Sequence, residues 1–432
     1  MSSTTIPQLS QILQDLLIKD AKEIGRSSGF IQRERKFSGS SFAQSLIFGW
    51  QSSPQASLED LCQSASASGV SISPQGIQER MKSALSARFM QQLLERAVTY
   101  VVTSDGERSD LLSRFTGVYI QDSTIIELPL ALRGLWSGCG NQTSKKAGLK
   151  VQTNFNYQHG HLTLQLAEAK QHDCPLQTLD LPVGSLRLAD IGYFKVANFK
   201  QLTQHGVWWL SRLPVRVGIW DGEKVQHIAA FLAQQTSDTV DISIELSAQR
   251  LSCRLIAVRV PPEVKQKRQQ RAKREALSRP HHLQTTTLDL CEWTIIVTNL
   301  NDDQLTIEQA LILLRLRWQI ELLFKLWKHI LTVDNWRSQQ PWQILTEVYT
   351  KLLIALIQHW IYVISCWEDP RRSLVKASGL LRKHAFHLLN SLSHRSKLMT
   401  VLNHIVQQMP RCLIQKRKSR PATFQLLGLD YS

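Results

Sequence analysis

The stretch that most constrains this chain is the run Arg315-Leu316-Arg317-Trp318-Gln319-Ile320-Glu321-Leu322-Leu323-Phe324-Lys325-Leu326-Trp327-Lys328. It is apolar nearly all round, as in a helix buried in a core. Yet Arg317, Glu321, Lys325 and Lys328 follow one another at steps of four, four and three, which puts them on one helical stripe. Burying a charge is costly unless it is paired or binds a metal. A metal-holding carboxylate beside phosphate-gripping cations meets that condition. An amphipathic helix with surface ion pairs is the plainer alternative.

The rest of the chain favours a polyanionic partner. It has 432 residues, a formal net charge of +16 and a pI near 9.7. That length supports more than one domain and a sizeable core. That charge points to nucleic acid, with a membrane surface the weaker alternative. The longest apolar run, 348–367, is interrupted by Lys351, Gln358 and His359, and reads as a buried helix rather than a membrane span. Residues 1–14 lack the basic and then apolar layout of a signal peptide. Seven cysteines (62, 139, 174, 253, 291, 366, 412) are scattered without a Cys-x2-Cys pair, so neither a zinc site nor a disulfide framework is indicated and a reducing cytoplasm is expected.

The pattern changes along the chain and divides it into five segments. Residues 1–108 read as a helical N-terminal DNA-binding domain. Ser57 caps one helix, Gly69 supplies a turn and Ser73-Pro74 starts a second helix, the layout of a helix-turn-helix or of a plain helical hairpin. Arg26, Arg33, Arg35 and Lys36 lie upstream, as DNA contacts or as a solvated basic face. Residues 109–215 read as the first part of a mixed α/β core. A run ending at Asp122, a hairpin around His159-Gly160, a strand ending at Asp190, a helix over 197–202 and a strand over 207–213 follow in order.

Residues 216–292 read as a β-rich insertion, with strands expected over 217–220, 225–231, 240–246 and 252–260. Its basic run Lys265, Lys267, Arg268, Arg271, Lys273 and Arg274 is expected as a mobile loop that doubles as a phosphate-binding arm. Residues 293–366 return to the core, beginning with a strand at Trp293 and continuing into the helix of Glu321. Residues 367–432 form a basic helical C-terminal region with Arg371, Arg372, Lys376, Arg382, Lys383, Arg395, Lys397 and Lys416-Arg417-Lys418.

Asp122, Asp190 and Glu321 stand out by context, two at strand ends and one on a helix. Taken singly, an aspartate is more often a cap or turn acid, and Glu127, Asp173 and Asp180 lie nearby on that reading. If the three meet, their mutual repulsion calls for divalent cations. Two magnesium or manganese ions can activate a water or 3′-hydroxyl and stabilise the leaving oxygen of an in-line displacement at phosphorus.

The wording of these segments resembles the transposases of the insertion-sequence-4 family, of the DDE type, over roughly residues 30–365. Their last catalytic acid lies in Tyr-x2-Arg-x3-Glu-x6-Lys; here Arg317, Glu321 and Lys328 match, with Leu314 at the tyrosine position. Gln121-Asp122-Ser123-Thr124 resembles the first-acid strand, and Ala189-Asp190-Ile191-Gly192-Tyr193-Phe194 the second. The resemblance implies a ribonuclease-H-like core interrupted by a β-strand insertion before the last acid. It implies cut-and-paste DNA transposition with Asp122, Asp190 and Glu321 as catalytic metal ligands. Arg317 and Lys328, and more weakly Lys325, would hold DNA phosphates.

The implied partners are double-stranded DNA, as terminal inverted repeats and target, and a second copy of the chain in a synaptic homodimer. No membrane or small-molecule cofactor is expected. In hairpin-forming relatives a tryptophan at the place of Trp293 inserts where a base has flipped out; a strand tryptophan packed in a core is the competing account. Two other functions stay open: a non-catalytic DNA-binding repressor or end-bridging protein, and a stand-alone metal-dependent nuclease.

Overall fold

The computed structural model describes residues 3–33, 36–106, 109–140, 145–172, 180–222, 224–277, 285–414 and 421–428. The described α-helices before the first strand are α1 (Ile6–Gln14), α2 (Ala21–Ser27), α3 (Gly39–Ser52), α4 (Leu58–Ala67), α5 (Pro74–Met81) and α6 (Ala84–Val98), with a π-helical segment Asp15–Asp20 joining α1 to α2. Then come β1 (Val118–Leu128), β2 (Ala147–Asn156), β3 (Leu162–Glu168), β4 (Leu186–Ala189), α7 (Val196–Gln204) and β5 (Trp208–Arg212). Next come β6 (Gly218–Asp221), β7 (Lys224–His227), α8 (Ile228–Ala233), β8 (Thr239–Leu246), β9 (Leu251–Arg259), α9 (Pro262–Leu277) and α10 (Thr285–Asp289). β10 (Trp293–Thr298), α11 (Ile307–Leu316), α12 (Trp318–Lys325), α13 (Pro341–Cys366), α14 (Leu374–Lys383), α15 (Ala385–Ser391), α16 (Arg395–Gln408) and α17 (Thr423–Leu426) complete the order.

The chain forms two compact units, and it passes from one to the other at 112/113, inside β1 at 121/122, at 171/172 and at 318/319. The first contains 1–112, 122–171 and 319–432. Its N-terminal helices start where the sequence offers caps: Thr5 with Gln8 before α1 and Ser57 with Asp60 before α4 form reciprocal capping boxes. Gly69, at φ +81°, makes the left-handed turn between α4 and α5. The centre of this unit is α13, whose polar residues are buried with partners. Gln358 donates to Gln51 and accepts from Tyr362, Lys351 pairs with Glu347, and the His359 ring bonds to the Gly160 carbonyl. Although α13 is long and apolar enough to cross a membrane, 89% of its most apolar window is buried within the structure, the core placement expected.

The β2–β3 hairpin is antiparallel, pairs Leu149 with Glu168 through Phe155 with Leu162, and lies beside β1. Phe155, Tyr157, His359 and Trp367 pack edge to face around it. Arg372 lies over the Trp367 ring and donates to its carbonyl, so it is a packing residue, not part of a solvated basic tail. Arg371 pairs with Asp369. Lys416-Arg417-Lys418, Arg35 and Asp173 lie outside the described residues.

The second unit contains 113–121 and 172–318. Its strands run in the order β1-β4-β5-β10-β9-β8-β6-β7. β1, β4 and β5 are parallel, and every later pairing is antiparallel. The mixed α/β character matches expectation. Phe199 of α7 stacks on Trp209 of β5 at 4.2 Å, in a core that also takes in Ile219, Leu246, Leu255 and Trp293.

Three local expectations are corrected. Asp122 does not end its strand, because the β-branched residues after it carry β1 on to Leu128. The strand expected over 225–231 stops at His227, and Ile228–Ala233 is helical because Ala-Ala-Phe-Leu-Ala favours a helix. The basic run is not a loop: it lies on the sixteen-residue α9, whose Lys, Gln, Arg and Ala are strong helix formers with Pro262 and Glu263 in the first turn.

Candidate active site

The three acids occupy distinct settings. β1 and β4 are parallel with Gln121 opposite Ala189 as their last pair. Asp122 and Asp190 are the residues that directly follow that pair in the sequence. A fully buried arginine braces this end of the pairing in the second unit: Arg187 of β4 donates through Nε to Gln121 Oε1 at 2.6 Å. Asp190 is half-exposed and pairs with Arg317, Oδ1 to Nη1, at 3.5 Å. Arg317 is 7% exposed and caps α11 at the break before α12.

In the first unit, Asp122 is partly buried, and its Oδ1 accepts the Ser123 backbone N–H at 2.8 Å. Glu321 is likewise partly exposed, in the first turn of α12. A π-helical segment, Leu326–Ile330, continues from α12 and carries Lys328. Lys328 Nζ donates to the Ile125 carbonyl at 2.9 Å, which fastens the Glu321 helix to the strand that carries Asp122. Lys325 is exposed. Leu314, at the tyrosine position of the signature, is buried in α11.

Among the described residues, no three His, Cys, Asp or Glu side chains are drawn together into a group that could hold a metal ion. The donor chemistry of the three acids is nonetheless that of a hard cation, because carboxylate oxygens suit magnesium and manganese while zinc prefers nitrogen and sulfur.

The remaining residues named from sequence divide sharply, all within the second unit. Trp293 is 5% exposed, with the Arg259 guanidinium 4.4 Å from its ring centroid. Arg268 donates to the Trp293 carbonyl and to Thr294, and burial holds its pKa below the usual value. Lys265 pairs with Glu292, a bond that lowers the Glu292 pKa. Arg271 pairs with Glu275 along the helix. Lys267, Lys273 and Arg274 are exposed, the placement a phosphate-binding face needs.

One residue escapes sequence reasoning. Trp318 reads as core within an apolar run, yet it is 55% exposed, and Leu322 one turn on is 51% exposed. An exposed aromatic three residues from Glu321 can stack on an unpaired base. The available signal is the helical wheel: Trp318 and Leu322 each lie next to the charged stripe.

Residues 113–357 match the family described as transposase DDE domain. The chain is 27% identical to the transposase for insertion sequence element IS231F of Bacillus thuringiensis subsp. israelensis, over 95% of this chain and 92% of that one. It is 23% identical to the transposase for insertion sequence element IS1151 of Clostridium perfringens, over 95% and 94% respectively. A shorter stretch of 104 residues is 35% identical to the putative transposase InsL for insertion sequence element IS186A of Escherichia coli K12, covering 24% of this chain and 28% of that one.

Proposed function

The chain belongs to the DDE transposase family, and on that footing we propose that it excises and inserts an insertion-sequence element by metal-dependent cleavage and strand transfer, with Asp122, Asp190 and Glu321 as the catalytic acids. The observation that carries this reading is the register of β1 on β4, since both aspartates continue directly from the Gln121–Ala189 pair. The Lys328 bond to Ile125 supports it from the other side by fixing the Glu321 helix on β1. The parallel β1-β4-β5 strands with α7 support a ribonuclease-H-like core, and β6–β9 an insertion before the last acid.

Nicking exchanges a P–O3′ bond for a bond to the oxygen of water and frees a 3′-hydroxyl. Strand transfer exchanges a P–O3′ bond of the target for one to that 3′ oxygen. One phosphodiester replaces another in transfer, so no energy-carrying cofactor is required. Two magnesium or manganese ions held by the three carboxylates would supply Lewis-acid stabilisation of the attacking and leaving oxygens. Arg317, paired with Asp190, would orient that carboxylate, and a guanidinium fork suits a phosphate as well as a carboxylate. Lys325 offers an exposed cation on the same helix as Glu321, and Lys328 anchors that helix.

Helices α4 and α5 and the basic residues of the C-terminal region would bind the terminal inverted repeats, and two copies would pair the ends in a synaptic complex. A DNA hairpin intermediate is the route with the strongest claim on an aromatic wedge, which Trp318 is better exposed to supply than Trp293.

The deciding experiment uses a duplex carrying the element's own end, with magnesium. The wild-type chain nicks it and joins the 3′ end to target DNA. Asp122→Asn, Asp190→Asn and Glu321→Gln each lose cleavage and keep end binding. Wild-type cleavage by any of the three removes that residue from the set, and nicking without joining would make the chain a nuclease.

A further inference from the structure

Lys351 lies in the middle of α13, 1% exposed, in the first unit. Its ammonium pairs with Glu347 at 2.7 Å and donates to the Thr332 carbonyl and hydroxyl, both at 3.1 Å, and to the Asn335 carbonyl at 2.8 Å. A buried ion pair adds little to stability over a well-packed apolar pair. What this one does is hold a turn. Thr332 has φ +52°, a left-handed conformation that strains a β-branched residue.

The same threonine connects two parts of the unit. Its hydroxyl accepts from Gln55 Nε2 at 3.0 Å and donates to the Pro54 carbonyl at 3.3 Å. Pro54 and Gln55 lie in the link between α3 and α4, just before the Ser57 cap of α4. On its other side the turn is tied to the end of the Glu321 helix, with Leu331 N–H bonded to Leu326 and Val333 N–H to Trp327. One hydroxyl therefore joins the entry of the α4–α5 pair to the exit of the helix that carries Glu321 and Lys328.

We propose that Lys351 is a positioning residue: it holds Thr332 in its left-handed turn so that binding of element-end DNA at α4–α5 is transmitted, through Gln55 and Thr332, to the helix bearing Glu321. This rests on the reading above, in which α4–α5 contact the end and Glu321 is catalytic. It goes beyond that reading by making recognition and chemistry cooperate through one junction. Coupling of this kind needs a discrete physical element that both sites bias, and a strained residue held by convergent bonds is such an element.

The test uses the full chain, the same end duplex and four variants. Gln55→Ala and Thr332→Val remove the junction bond from either side. Lys351→Met removes its anchor. Glu347→Leu with Lys351→Met removes the anchor without leaving a buried carboxylate unpaired, in case the single change does not fold. Melting temperature, end-DNA affinity, the nicking rate at saturating DNA and amide hydrogen exchange over 319–335 are measured for each. Gln55→Ala is expected to keep wild-type melting and affinity, Thr332→Val to keep affinity with a lowered melting temperature because the buried Lys351 loses an acceptor, and both to nick about three- to thirtyfold more slowly, the range of measured coupling effects. End DNA should slow exchange over 319–335 in the wild type and not in these variants. Combining Gln55→Ala with the Glu347→Leu, Lys351→Met pair should add no further loss.

Wild-type nicking at saturation by both Gln55→Ala and Thr332→Val, or exchange that slows in them as in the wild type, overturns the proposal. A wild-type chain that binds end DNA but never nicks it would instead count against the transposase chemistry, and the exchange comparison would still decide the coupling.

Discussion

Arg317 Nη1 stands 3.5 Å from Asp190 Oδ1, with the arginine side chain almost wholly buried and the aspartate 40% exposed. The guanidinium is held by packing while the carboxylate faces solvent, so the arginine sets the position of the acid. A lysine would bring the same charge without the planar fork. Arg317→Lys and Arg317→Ala should therefore both lose nicking, by about a hundredfold or more, the order of magnitude lost when one preorganised electrostatic donor is removed from an active site. Single-turnover nicking at saturating DNA measures this. Full rescue by lysine would reduce Arg317 to a point charge.

Helix α9 should separate into two functions. Lys267, Lys273 and Arg274 are exposed, whereas Arg268 is bonded to the Trp293 carbonyl at 2.8 Å and to the Thr294 hydroxyl at 3.0 Å. Alanine at the three exposed positions together should weaken binding to all DNA sequences alike. It should also lower the slope of log affinity against log salt by about 0.9 for each phosphate that is no longer neutralised. Arg268→Ala should leave that slope unchanged and cost about 1–3 kcal/mol of stability. Salt titrations and urea unfolding on both variants distinguish the roles, and a slope lowered by Arg268→Ala would contradict the division.

His359 supplies a pH dependence of folding. It is buried in α13, and desolvation pushes its pKa down to about 4 from an ordinary value of 6.5, with His161 and Arg372 acting in the same direction and the Gly160 carbonyl opposing. Between those two values the unfolded chain holds the proton and the native chain does not. Stability should therefore rise with pH from about 4 to 6.5 and level off above, with about 3 kcal/mol at stake on this one group. Burial lowers the pKa of His161 as well, with the same sign. Urea unfolding at pH 5.0 and 7.5 should show the loss on the acid side, and His359→Gln should shrink it. An unchanged difference in that variant would assign the effect elsewhere.

The legible parts of this chain are those governed by local rules. Capping residues place α4 and α5, and Gly160 places the β2–β3 hairpin, whereas the single helical stripe expected from Arg317 to Lys328 is broken: Arg317 ends α11, α12 begins at Trp318, and Lys328 lies in a π-helical segment. What each charge touches is not local. Lys328 reads as a phosphate-gripping lysine from spacing alone, and its bond to the Ile125 carbonyl depends on a strand 203 residues away. Lys351 reads as an interruption of an apolar run, because the acceptors it meets lie in the turn before its own helix. The basic run at 265–274 reads as a loop when charge is weighed above helix propensity. Trp318 reads as core and is exposed, and Trp293 is left open between wedge and core, for a related reason: hydrophobicity does not tell an exposed tryptophan from a buried one.

Trp293 separates core packing from base insertion most sharply. It opens β10 at 5% exposure, within the core of the second unit, under the Arg259 guanidinium. A tryptophan so placed packs, and a base could reach its ring only after Arg259 moved. Trp293→Ala should accordingly cost about 3–5 kcal/mol of stability, as large-to-small core substitutions do. Nicking, hairpin formation and joining should then fall together, with a lowered melting temperature. A base-wedge role predicts another pattern: a native melting temperature, an unaffected first nick, and a hairpin step slowed about tenfold to over a hundredfold through loss of ~1–3 kcal/mol of stacking. Measuring melting and each chemical step on this one variant decides between them. Trp318→Ala, made in parallel at an exposed position, should leave melting unchanged, so a hairpin defect confined to Trp318→Ala would transfer the wedge to Trp318.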